Sequence, residues 1–347
     1  MMDHLKKLCA LEGVSGCEVP VRRYILNALK GSPAEITTEV DALGNIIARI
    51  KGRNPAAKTV LFAAHMDEVG LIITGVTDEG YLRFAPVGGL ESRVIYGRRV
   101  LVNGHPGVIG GKAVHLCSKE EKGQVPDLDK LLIDLGTDSR EEAEKIAAPG
   151  DRAVFDSAYT KLENGLIKAR ALDDRAGCAL LLGLTDEVPE YDVVLAFTVQ
   201  EEIGARGAKA VAFTVRPDIA LAVDATTAAD TAGVPAEKQV CRVFGGPVVS
   251  FMDRSTLYDQ ALYERIRETA KEIGVKSQTK TVIAGGNDAS SLQRAAGGAR
   301  VAAVSLPCRY IHSPSCVLAK KDIADTLALL KALVNRLPAP DPEDQAI

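Results

Sequence analysis

Apolar positions fall into three textures along the chain. In residues 4–30 they recur at i, i+3 and i+4: Leu5, Leu8 and Leu11, then Val21, Tyr24, Ile25, Ala28 and Leu29. That spacing predicts helix, interrupted around Gly13 and Gly16. Ile36–Val40 and Ile46–Ile50 alternate about Gly44-Asn45 and predict a hairpin. Thr59–Ala64 is a compact apolar run that stops at His65. From Val69 to about Glu163 the helical period vanishes. Short alternating runs take its place (Gly70–Val76, Tyr81–Phe84, Arg99–Val102, Gly107–Ile109, Ala153–Phe155), with glycine pairs at Gly88-Gly89 and Gly110-Gly111. Only Ser139–Ala148 reads as helix there. This texture predicts a small β-rich barrel or sandwich.

From residue 165 helix and strand alternate. The pattern predicts helices at Asp173–Leu184, Gly204–Phe213, Leu257–Ile273, Asp288–Ala296 and Lys321–Leu337, and strands at Asp192–Val199, Ile219–Val223, Val282–Ala284 and Val301–Leu306. Such alternation predicts an α/β fold, a mainly parallel sheet with helices on both faces. The expected organisation is one α/β catalytic domain, residues 1–68 and 165–347, with a β-rich domain inserted at 69–164. The tail Pro338–Ile347 is expected to fray.

Composition narrows the function classes. A chain of 347 residues is long enough for two domains. Its net charge of −4 gives no basic surface for nucleic acid. No apolar run reaches the length of a membrane span, and MMDHLKKLCALEG lacks the core and cleavage site of a secretory signal. Seven dispersed cysteines without a CxxC pair read as free thiols of a reducing cytoplasm.

The candidate chemistry lies where apolar runs end. TVLFAA leads into His65-Met66-Asp67, VVLAFTV into Gln200-Glu201-Glu202, IALAV into Asp224, and VAAVSLP is followed by Tyr310-Ile311-His312; Asp173-Asp174 opens a helix. In an open α/β sheet, sites form outside the carboxyl ends of the strands, so these residues are expected to converge. Each has a bland reading alone. Asp173 and Asp174 could cap a helix, the histidines could be structural, and the Glu pair could be a solvated charge pair. Yet two of only five histidines follow apolar strands, and Glu-Glu is a poor way to continue a core. Two histidines among carboxylates suit zinc, cobalt or manganese better than calcium. Asp67 could fix the tautomer of His65 through its second ring nitrogen. Neighbouring glutamates on extended chain point to opposite sides, one to metal and one to substrate. Two like-charged ions need a bridging carboxylate, for which Asp173 is the candidate.

These residues resemble metallopeptidase family 42, the aminopeptidases that include glutamyl aminopeptidase and the tetrahedral TET enzymes. The motifs are AAHMDEVG (63–70), ALDDRAG (171–177), VQEEIGARGA (199–208), AVDAT (222–226), GGNDA (285–289) and RYIHSP (309–314). The resemblance implies that His65, Asp173 and Asp224 hold one metal ion and that Asp173, Glu202 and His312 hold the other. It implies Glu201 as general base; Asp67, read from the HxD pattern as the partner of His65, joins it in the catalytic set. It also implies two divalent ions per chain, zinc first with cobalt or manganese as alternatives, and peptide substrates. The inserted domain is expected to serve oligomer assembly, from dimers to a dodecamer. Leu11-Glu12-Gly13 replaces the family's usual Pro-Gly, Asp174 stands where asparagine is common, and the GGNDASS loop and Cys308 also depart from the usual form.

Three rival readings compete with this one. A zinc carboxypeptidase or deacylase of the same clan shares HxD and Glu-Glu, but its inserted domain follows the Glu-Glu segment. An endoglucanase-type glycosidase needs carboxyls facing one another across a bond, which adjacent Glu201 and Glu202 do not supply, and the chain has no Trp. A purely structural metal site could use Cys308, His312 and Cys316, but Pro307 and Pro314 break any helix that would align them.

Overall fold

The computed structural model describes residues 1–340, so the expected fraying of Pro338–Ile347 lies mostly outside the described residues. The first helical stripe forms two helices, Met2–Leu8 and Val19–Leu29, which bury Leu5 and Leu8, then Val21, Ile25 and Leu29.

The main sheet has eight strands. Its spatial order is Ile36–Val40, Ile46–Ile50, Val193–Thr198, Val60–His65, Ile219–Thr227, Arg300–Cys308, Val248–Val249 and Gln278–Thr279. Val193–Thr198, Val60–His65, Ile219–Thr227 and Arg300–Cys308 run parallel and form its centre. The Ile36–Val40/Ile46–Ile50 hairpin is antiparallel, as its alternation predicts. Successive side chains of a strand enter opposite faces. Phe62 therefore packs with the residues of helices Leu172–Gly183 and Lys320–Arg336, while Leu61 and Ala63 pack against helix Arg206–Val215. With both faces covered, the central strands are continuous apolar runs.

Three local expectations are corrected. The strand predicted at Ile219–Val223 continues to Thr227 alongside Arg300–Cys308, so Asp224 lies within a strand rather than beyond its end. Glu201-Glu202 does not extend its strand. That strand stops at Thr198, and Gln200 takes a left-handed φ of 57°, which starts a turn. No strand forms at Val282–Ala284. Residues 281–287 are an irregular loop that contains Gly285-Gly286, and the short pairing segment is Gln278–Thr279, against Val248–Val249.

Between Gly70 and Phe155 six strands close an antiparallel barrel, in the order Gly70–Val76, Leu82–Val87, Leu132–Asp134, His105–Gly110, Arg99–Val102 and Arg152–Phe155. It has its own core, including Leu71, Val100, Ile109, Ile133 and Phe155. The helix expected at Ser139–Ala148 shortens to Arg140–Glu144, capped by the Ser139 side chain accepting from the Glu142 amide, and it is not alone, since Ser92–Ile95 and Lys119–Lys122 also form single helical turns. A small antiparallel sheet of Thr160–Lys161, Leu166–Ala169 and Cys316–Ala319, absent from the sequence reading, then returns the chain to the main domain. It sets the approach to Asp173 beside the segment that follows His312.

Candidate active site

Strand Val60–His65 delivers His65 to the carboxyl end of the sheet, and strand Ile219–Thr227 delivers Asp224. The two aspartates before the long helix divide their tasks. Asp174 Oδ1 accepts the Gly177 amide at 2.8 Å and so caps the helix, while its Oδ2 accepts the His65 amide at 3.3 Å. Residue 177 must be glycine, since a Cβ there would lie 2.3 Å from the Asp174 carboxylate. Asp173 has non-helical φ and ψ, is joined to Asp174 by a cis peptide, and faces the cleft.

Asp173 presents one oxygen to each histidine. Its Oδ1 is 3.3 Å from His65 Nε2 and its Oδ2 is 3.4 Å from His312 Nε2. Asp224 Oδ1 lies 3.7 Å from His65 Nε2, and Glu202 Oε2 lies 3.2 Å from His312 Nε2. Two donor triads result, His65–Asp173–Asp224 and Asp173–Glu202–His312, each with its ligand atoms within 4.8 Å of one another. The five residues expected to bind metal are thus brought together. Glu201 belongs to neither triad but lines the same cleft, an opening of about 590 Å³.

Asp67 is fully buried behind His65 and has no face on the cleft. Its Oδ1 lies 3.4 Å from His65 Nδ1 and accepts the Glu201 amide at 3.0 Å. Its Oδ2 accepts the Glu202 amide at 3.1 Å and the Ser15 hydroxyl at 2.6 Å. Asp67 therefore acts through its neighbours, orienting His65 and placing both glutamates. The reading of the sequence missed Ser15, and it missed Gly89. The Gly89 carbonyl, from the loop after barrel strand Leu82–Val87, lies 3.1 Å from His312 Nδ1. The glycine pair was visible as a turn, but nothing local connects it to a residue more than two hundred positions away.

The charge balance of these residues fits divalent cations. Without a cation, burial and then the charge of Asp173 push Asp224 up to about 8, and the same two causes push Glu202 up to about 8. Burial works against a charged His312, yet the Asp173 hydrogen bond and the Glu202 charge outweigh it and hold His312 at about 10. Burial likewise opposes ionisation of Asp173, but its bonds to His312 and His65 prevail and its pKa is lowered. Glu202 Oε1 is buried without any hydrogen-bond partner. Carboxylates crowded in this way, with an oxygen left unpaired, are what a bound cation satisfies.

Crowded carboxylates with one buried and one half-exposed histidine at the carboxyl end of a parallel sheet, and a further glutamate facing the cleft, have the donor set of a metal-dependent hydrolase. The sequence profile of the M42 glutamyl aminopeptidase family matches residues 44–329, and the chain belongs to that family. It is accordingly a metal-dependent aminopeptidase, an exopeptidase that hydrolyses peptides. A protein of Acetivibrio thermocellus that carries a provisional aminopeptidase name is 39% identical over 332 residues, covering 95% of this chain and 97% of its own. The structure of the Pyrococcus horikoshii TET1 peptidase, described as assembling into a tetrahedron or a large octahedral shell, superposes with a TM-score of 0.84 at 36% identity, over 96% of this chain and 99% of that one. A Thermotoga maritima chain named as an endoglucanase superposes with a TM-score of 0.79 at 33% identity, over 96% of this chain and 97% of that one.

Proposed function

We propose that this chain removes N-terminal residues from peptides with two divalent ions, zinc in the first instance, with cobalt or manganese as alternatives. His65, Asp173 and Asp224 would hold one ion and Asp173, Glu202 and His312 the other. The observation that carries this reading is Asp173, whose two carboxylate oxygens face different histidines. When bound, such ions supply Lewis acidity, polarising a carbonyl oxygen and lowering the pKa of a water.

The protein's own groups do the rest. Glu201 takes a proton from the attacking water as its oxygen bonds to the scissile carbonyl carbon. It delivers that proton to the amine as the C–N bond breaks. Burial raises the Glu201 pKa well above the ordinary carboxylate range, the direction a base working near neutrality requires. Asp67 holds the Glu201 amide and so fixes where the base stands. The free N-terminus of the substrate binds one ion or nearby carboxylates, which restricts cleavage to the first residue.

The insertion, taken as residues 69–164, is proposed to build a closed homo-oligomer from dimers, a dodecamer being the expected size. The assembly described for the Pyrococcus relative supports this. Among the described residues no helix is long and apolar enough to cross a membrane, and we place the enzyme in the cytoplasm with its cysteines reduced.

The endoglucanase name of the Thermotoga relative finds no support in the cleft. Glu201 and Glu202 hang from one turn with both amides on Asp67, so they cannot flank a glycosidic bond from opposite sides. Glu201→Gln tests the reading. Hydrolysis of aminoacyl-nitroanilides should fall by ~10²–10⁴-fold while metal content by elemental analysis stays at two ions per chain. Unchanged turnover would remove the base assignment, and activity that survives stripping with chelator would remove the metal mechanism.

A further inference from the structure

The turn that carries Glu201 and Glu202 is held from behind by carboxylates, and one of them comes from a part of the chain so far without a role. Three consecutive amides, of Gln200, Glu201 and Glu202, each donate to a carboxylate oxygen. Asp67 receives the second and third, at 3.0 and 3.1 Å. The first goes to Glu18 Oε1, at 3.2 Å across 182 positions of sequence. The same Oε1 accepts the Gly16 amide at 2.7 Å. Glu18 is only 3% exposed. It precedes helix Val19–Leu29 but makes no side-chain cap on it, so local helix chemistry does not explain its burial. A carboxylate taken out of water needs compensation, and here it comes from main-chain amides.

The geometry at Gln200 shows why an acceptor is useful there. The residue is not glycine, yet it adopts φ 57°, a left-handed conformation that L-residues hold only when their surroundings enforce it. In that conformation its amide turns toward Glu18, and the two following amides turn toward Asp67. Ser15, in the same N-terminal loop, donates to Asp67 Oδ2 at 2.6 Å. The loop around residues 15–18 therefore reaches the base-bearing turn twice, once through Ser15 and Asp67 and once through Glu18.

We infer that Glu18 is a positioning residue for the reaction, fixing the Glu201 carboxylate over the cleft by accepting the amide of Gln200. Glu18 acts through the backbone and touches neither substrate nor metal ligand. What the arrangement uses is one acceptor oxygen at the right reach, because both amides converge on Oε1. The inference rests on Glu201 being the base.

Two conservative variants separate reach from charge. Glu18→Gln keeps the length and a carbonyl oxygen that can replace Oε1, and gives up the charge. Glu18→Asp keeps the charge and falls one methylene short. Turnover of an aminoacyl-nitroanilide, KM, metal content and melting temperature are measured on the zinc-loaded full-length protein. Backbone hydrogen exchange is measured over the peptide covering residues 199–205. Glu18→Gln should stay close to wild type. Glu18→Asp should lose ~10–100-fold in kcat, the scale of a misplaced catalytic group, with KM and both ions retained and faster exchange at 199–205. The inference is overturned if Glu18→Asp keeps wild-type kcat, if Glu18→Gln is impaired as much as Glu18→Asp, or if both variants merely melt earlier with unchanged kcat per folded molecule. Glu201→Gln is assayed alongside. Full turnover in that variant removes the base assignment itself, whereas loss there with full turnover in Glu18→Asp removes only the role of Glu18.

Discussion

The two donor triads share Asp173 but are built differently. His65 is 3% exposed and stands at the end of a central strand, with its amide tied to Asp174 and its ring to Asp67. His312 is 38% exposed and sits in the loop after strand Arg300–Cys308, where both Tyr310 and His312 have left-handed φ values of 59° and 55°. Its ring leans on the Gly89 carbonyl, contributed by the inserted region. One triad is framed by the core of the sheet; the other lies on the seam between sheet and barrel. On the proposed assignment, an ion on the packed triad should exchange more slowly than one held by the loop histidine at the seam. The difference teaches that the inserted region reaches the second triad, because the Gly89 carbonyl lies against the His312 ring.

Removing each histidine would break this comparison most directly. His65→Ala should lose turnover by about 10³-fold or more, because the polarisation that an ion supplies is worth several kcal/mol. Excess zinc should not restore it, since the triad is left with two of its three donor groups. His312→Ala should lose one ion during dialysis and regain part of its activity when zinc is added back. Calorimetric titration of metal into both apo-variants measures this. Equal rescue, or rescue of His65→Ala alone, would show that burial does not rank the two sites.

Much of this arrangement is legible in the sequence because the proposed metal ligands interrupt otherwise apolar runs. TVLFAA ending in His65 and VVLAFTV leading to the glutamates announce both a buried strand and the place where it stops being apolar. The change of texture near residue 69 likewise marks the start of the barrel strands. What stays hidden is contact between residues far apart in sequence. Ser15 reaches a carboxylate, Glu18 an amide and Gly89 a ring, and no periodicity records such pairings. Asp224 is placed within its strand by register with Arg300–Cys308, which only the folded sheet defines. Val282–Ala284 shows the converse. Its residues have strand propensity, but the chain spends them on a loop at the cleft, where Ile283 is left exposed.

A smaller effect concerns stability without metal. In the cation-free protein, burial and Asp173 hold Asp224 and Glu202 up to about 8. A carboxyl whose folded pKa exceeds its unfolded value opposes folding increasingly as pH climbs from ~4, its ordinary pKa, through 8. His312, held at about 10 by Asp173 and Glu202 against the effect of burial, stabilises the fold below its unfolded pKa. That contribution is lost as pH rises through 10. Both effects have the same sign. Asp173, with its lowered pKa, gives up stability only on strong acidification. Chelator-treated protein should therefore melt at a lower temperature near pH 8 than near pH 6, and added zinc should abolish most of the difference. A metal-free melting temperature that rises with pH over this range would contradict the charge crowding described for the triads. Because Asp224 belongs to the deep triad and Glu202 to the seam triad, Asp224→Asn and Glu202→Gln, each melted without metal, would show which site carries more of the slope.

The smallest effect is expected at Asp174, which supports only the deep triad. The carboxyl accepts the Gly177 amide at 2.8 Å and the His65 amide at 3.3 Å. Burial, reinforced by Asp224 and Asp173, pushes its pKa well above the ordinary range in the metal-free protein. Asparagine is isosteric with aspartic acid and keeps a carbonyl oxygen for the Gly177 amide. It forfeits only the longer contact to His65. Asp174→Asn should therefore retain both ions and change turnover by less than ~10-fold, the scale of one weak hydrogen bond. Asp174→Ala also removes the cap and should lower stability by ~1 kcal/mol. Metal titration and thermal melting of the two variants test the assignment together. If Asp174→Asn releases the ion held by His65 and Asp224, then residue 174 serves that site as an ionised carboxylate, and the division of labour between the adjacent aspartates is wrong.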